Sequence, residues 1–95
     1  MIWIQGAGEL ASGVALRLAR SGYQVVMAEI ANPLAVRRQV AFSEAVYEGK
    51  ATVEGTPGLL VETLGDPITG IPVRIIIDPK AELLSSCPVE AVIDA

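Results

Sequence analysis

The sequence predicts an α/β fold built on a parallel sheet with helices on both faces, and three observations lead there. Short apolar runs at residues 1–5 and 23–29 bracket a proline-free stretch, 9–21, whose apolar side chains recur at helical spacing. Gly6-Ala7-Gly8-Glu9-Leu10-Ala11 matches G-x-G-x-x-[G/A] at the junction of the first run with that helix. Glu29 closes the second run, about 20 residues on, where such folds place an acidic residue. Strand, glycine loop, helix and acid-tipped strand together are the opening βαβ unit of a Rossmann-type dinucleotide-binding fold.

Each element has a local reason. In 9–21, Leu10, Val14 and Leu18 share one face while Glu9, Gly13, Arg17 and Arg20 share another, and Gly22 supplies the stop. Asn32-Pro33 has the form of an N-cap and first helical residue, so 34–47 is expected to be helical. Glu48-Gly49 and the Gly55 to Gly58 turn residues punctuate 50–53 and 59–63, which could pair as a hairpin. Val73-Arg74-Ile75-Ile76-Ile77 is the most strand-like run, ended by Asp78-Pro79, with a short helix expected over 80–86 and a last strand at 91–93. Right-handed crossovers then predict a parallel order 3-2-1-4 for the strands near Ile2, Val25, Ile75 and Val92.

The chain stops at Asp94-Ala95 without a helix to cover that last strand, so residues 1–95 read as a single nucleotide-binding domain truncated after the strand at 91–94. The alternative is an oligomer in which a second copy covers the exposed face.

Composition narrows the function classes. With 52% hydrophobic and 19% charged residues the chain is a packed domain. No apolar stretch reaches the roughly 18 to 20 residues of a membrane span, and no basic segment precedes an apolar core, so a soluble cytoplasmic protein is expected. Seven scattered basic residues in a chain of net charge −4 offer no stripe for nucleic acid. One cysteine and no histidine leave no metal site and no Cys/His pair, and any proton-transfer group must be a carboxylate, lysine or tyrosine.

The chemistry concentrates at the glycine loop. Gly6 permits the tight turn, Gly8 lets a pyrophosphate approach the backbone, and Ala11 is small enough for helix and strands to pack. Ala7, Glu9 and Leu10 complete the cradle, where the helix N-terminus presents N–H groups and partial positive charge. Glu29 is expected to accept the ribose hydroxyls. Ile30 and Ala31 follow it, with no arginine for a 2′-phosphate, so NAD is favoured over NADP, while FAD and S-adenosylmethionine ask for the same carboxylate.

Further candidates carry weaker patterns. Gly13 inside a helix either admits a ligand or another backbone, or is merely tolerated. Arg37 and Arg38 could meet an anionic group or lie in solvent. Asp78 and Asp94 join Glu29 at the carboxyl ends of strands, where open parallel sheets bind ligands, although Asp78 is better placed to cap a helix beginning with Pro79. Cys87 reads as a small filler residue.

The blocks Gly6-Ala7-Gly8-Glu9-Leu10-Ala11-Ser12-Gly13-Val14-Ala15, Arg37-Arg38-Gln39-Val40-Ala41-Phe42-Ser43-Glu44-Ala45-Val46-Tyr47-Glu48-Gly49 and Thr52-Val53-Glu54-Gly55 resemble the YqeB family, which is distantly similar to XdhC-type proteins. The second block is the more specific; glycine loops are common to many folds. The resemblance implies a longer protein with a nucleotide-binding accessory role in maturation of selenium-dependent molybdenum hydroxylases, acting on such an enzyme or its cofactor. From the residues alone, an NAD-dependent oxidoreductase lacking its substrate half and a nucleotide-sensing regulatory module remain alternatives, and whether the chain is an enzyme stays open.

Overall fold

The computed structural model describes residues 1–31 and 41–94. In chain order they form β1 (Ile2–Gln5), α1 (Glu9–Arg20), β2 (Val25–Glu29), α2 (Glu44–Glu48), β3 (Lys50–Val53), β4 (Thr56–Leu60), β5 (Val73–Ile77), a 3₁₀ turn (Leu84–Ser86) and β6 (Ala91–Asp94). The strands make one six-stranded sheet of order β3-β4-β5-β2-β1-β6. All neighbours run parallel except β3 and β4. The chain is therefore α/β, and the stretch β5-β2-β1-β6 has the order expected for the strands near Ile75, Val25, Ile2 and Val92.

The central strands are apolar in nearly every position because both faces of the sheet are covered. Ile2, Ile4, Val25, Met27, Val73 and Ile75 point to one side, where Ala11 and Ala15 of α1 and Phe42 and Ala45 meet them. Trp3, Val26, Ala28 and Ile76 point to the other, against Val61, Leu64, Leu84 and Val89. Both α-helices thus lie on one face among the described residues, and the second face is covered by the 61–64 segment and the turns around Leu84. This corrects the expectation of helices on both faces. The 80–86 segment, which should have supplied the second layer, bends too sharply to do so: Ala81 has φ 54, and the Asp78 carboxylate takes the N–H groups of Glu82 and Leu83. Only the 3₁₀ turn remains of that helix.

Helix α1 ends as its glycine foretells. Gly22 adopts φ 93, its N–H donates to the Ala19 carbonyl at 3.1 Å, and the Tyr23 N–H donates to the Leu18 carbonyl at 3.1 Å, the paired bonds of a Schellman stop. The helix expected over 34–47 is confined, in its described part, to α2; Asn32, Pro33 and the residues up to 40 lie outside the described residues. Residues 41–43 form a turn instead, since the N–H groups of Phe42 and Ser43 bond outward to the Ser12 hydroxyl and the Ala7 carbonyl.

The hairpin forms, in a different register. Its second strand is β4, beginning at Thr56 rather than 59, so Thr56-Pro57-Gly58 is strand and the loop is only Glu54-Gly55. Glu54 at φ 46 and Gly55 at φ 81 give both loop residues the positive φ of a two-residue turn matched to strand twist. No helix among the described residues is long and apolar enough to cross a membrane.

Candidate functional site

The glycine loop lies where β1 hands over to α1, at the carboxyl edge of the sheet. Gly6 takes φ 110, a conformation glycine alone adopts readily, and its N–H donates to the Ala28 carbonyl at 2.6 Å. Gly8 is the N-cap, with no side-chain cap and an ordinary extended backbone of φ −71 and ψ −168. A Cβ added there would meet no atom of the described residues beyond its chain neighbours within 4 Å. Neither backbone strain nor packing against the described residues accounts for glycine at this position. The N–H groups of Leu10 and Ala11, in the first turn of α1, have no acceptor among the described residues.

Ala7 is fixed from both ends of its peptide groups. Its N–H donates to Glu29 Oε2 at 2.7 Å, and its carbonyl accepts from the Ser12 hydroxyl at 3.1 Å and the Ser43 N–H at 2.9 Å. The other Glu29 oxygen accepts the Ile30 N–H at 2.8 Å. These two bonds aim a half-buried carboxylate back across the glycine loop from the end of β2. Glu29 is therefore in register with the loop, as its spacing from Gly8 foretells, with lone pairs left on both oxygens. It also has a structural duty that spacing alone does not reveal.

The remaining candidates separate. Gly13 is exposed on α1, and a Cβ there would also meet nothing within 4 Å. Asp78 is buried beyond β5, with both carboxylate oxygens engaged by Glu82 and Leu83, so it closes the 78–83 turn and caps no helix at Pro79. Its N–H donates to the Glu29 carbonyl at 2.9 Å, which ties the ends of β5 and β2 together. Asp94 ends β6 in solvent. Arg37 and Arg38 lie outside the described residues. No metal-holding group of acids or cysteine occurs among the described residues.

Two residues escaped the sequence reading. Ser12, fully buried, donates to the Ala7 carbonyl and accepts the Phe42 N–H at 2.8 Å, joining the glycine loop to the 41–43 turn. Its signal was available: serine is poorly suited to a buried helical face unless its hydroxyl is bonded. Arg74 is buried within the apolar run of β5, and a cation in such a run is itself the signal.

The chain aligns over 99 residues with Escherichia coli (strain K12) "Uncharacterized protein YqeB", at 37% identity, the alignment taking in 100% of this chain. Over this stretch the chain belongs to the YqeB family. It spans 18% of the length of that YqeB protein. No family model and no solved structure matches this YqeB-family chain.

Proposed function

We propose that this chain is the nucleotide-binding part of a Rossmann-type fold, holding a dinucleotide with its pyrophosphate over Gly6, Ala7, Gly8 and the first turn of α1, Glu9, Leu10 and Ala11, and its adenosine ribose on Glu29. The observation that carries the reading is Gly8: a glycine at a helix N-cap, in a conformation open to any residue, with open space where its Cβ would stand among the described residues. Glu29 supports it, since two backbone N–H groups hold its carboxylate as an acceptor beside that space.

NAD is the favoured ligand over NADP, because a 2′-phosphate would meet the Glu29 carboxylate, and its exposed followers Ile30 and Ala31 offer no counter-charge. Titration of the protein with NAD, NADP, FAD and S-adenosylmethionine tests this, with Gly8→Val as the control. Saturable NAD binding that Gly8→Val abolishes without lowering the melting temperature is the expected result. Equal binding by parent and variant removes the proposal.

For the longer protein we propose, from the family resemblance, a cytoplasmic accessory role in maturation of selenium-dependent molybdenum hydroxylases, with the hydroxylase or its cofactor as partner. Loss of molybdenum hydroxylase activity in a strain lacking the gene, restored by the parent but not by Gly8→Val, is the expected outcome.

A further inference from the structure

At the amino edge of the sheet, opposite the glycine loop, a cavity of about 370 Å³ opens beside the start of β2 and β5. Arg74, 2% exposed, lines it. Among the described residues its guanidinium is poorly matched: Nη1 donates to the Gly65 carbonyl at 3.0 Å, Nη2 has only the Met1 sulfur at 3.4 Å, a weak acceptor, and Nε has no partner. No carboxylate of a described residue forms an ion pair with it. Gln24 lines the same cavity and its buried Oε1 is likewise without a partner. A guanidinium cannot shed its charge on burial, so an arginine buried without a carboxylate partner favours an anion that completes it. Both residues line one cavity, independently of the nucleotide reading.

We propose that this cavity is a second ligand site, binding a small monocarboxylate that pairs with Arg74 and carries a hydroxyl or amine donor for Gln24. The volume suits a small molecule. The rest of the wall is largely apolar, with Met1, Leu64, Pro67 and Cys87, which fits a short hydrocarbon body. Asp66 on the rim repels additional negative charge, which favours a carboxylate over a phosphate dianion. The Met1 side chain is what the carboxylate displaces from Nη2.

Sodium 2-hydroxybutyrate, butyrate, butyramide and inorganic phosphate, titrated into ¹⁵N-labelled protein, test the assignment. The expected result is saturable movement of the Gly65 amide, the Arg74 Nε–H and the Gln24 side-chain amide, strongest with 2-hydroxybutyrate, weaker with butyrate, and absent with butyramide. Asp66→Asn should tighten binding about two- to fivefold, the scale of one solvent-accessible charge contact, and Arg74→Met should abolish it. No saturable shift, tighter binding of phosphate, or equal response to butyramide overturns the site. So does a marked loss of stability in Asp66→Asn with no ligand response, which would make Asp66 the partner of Arg74. Should Arg74→Met fail to fold, the butyramide and Asp66→Asn arms decide alone.

Discussion

At the scale of single residues, the proposed site rests on Gly8, whose missing side chain nothing among the described residues explains, and on Glu29, whose carboxylate already holds two backbone N–H groups. Gly8→Val places a side chain in open space on backbone that valine accepts, so folding stability should hold or rise slightly while dinucleotide affinity is lost; paired thermal melts and titrations check this split. Glu29→Ala is a blunter change, because it also strips the acceptor from the Ala7 N–H, and leaving that donor unmet should cost about 1 to 3 kcal/mol of stability by chemical denaturation. Glu29→Gln keeps an oxygen for Ala7 and removes only charge. Its NAD to NADP affinity ratio should therefore narrow by at least about fivefold, the worth of one like-charge contact near water. An unchanged ratio would misplace the ribose. The pairing of loop and carboxylate was legible because motif spacing reports backbone geometry. Ser12 and Arg74 each carried a signal in their own run, a serine on a buried helical face and a cation in an apolar strand, but their partners Phe42 and Gly65 were not legible from it.

Among the elements, those governed by local rules were read closely and those governed by distant contacts were not. β1, α1, β2 and β5 follow from apolar runs, helical spacing and Gly22. The 80–86 helix fails because Asp78 bonds forward into that segment, and β4 starts early because Phe42 requires a glycine beside it in the strand. A Cβ at Gly58 would lie 2.7 Å from Phe42 Cδ1 and 3.0 Å from Ile75 Cδ1, so the Gly-rich stretch that resembles a turn is a packing site. Gly58→Ala should lower stability by about 1 to 3 kcal/mol in urea unfolding, through overpacking. Gly13 tests the opposite case. Gly13→Ala adds a methyl to an exposed helical position and should raise stability by about 0.5 to 1 kcal/mol. If its glycine serves ligand approach, NAD affinity falls in the same variant; if it is only tolerated, affinity stays put.

Over the whole molecule, one edge of the sheet stands open. Among the described residues β6 pairs only with β1, and Val92 on it is 52% exposed, so its outer edge offers backbone that no described strand pairs, beside apolar surface. Concentration-dependent self-association is the expected behaviour, and Val92→Lys should suppress it in sedimentation velocity runs; a parent that stays monomeric at high concentration contradicts this. The parallel order was foreseeable because crossover rules leave few alternatives. The hairpin was foreseeable too, but its register, its place beside β5 and the helix-poor face were not, because they follow from Gly58 packing on Phe42 and from Asp78 bonding forward to Glu82 and Leu83. The Ala7 carbonyl, shared by Ser12 and Ser43, ties the hairpin's neighbour α2 to the glycine loop. If the proposed nucleotide occupies that loop, its binding and opening of the hairpin become linked equilibria, each shifting the other by the same factor. Amide protons of β3 and β4, far from any phosphate, should exchange with solvent more slowly once the ligand is bound.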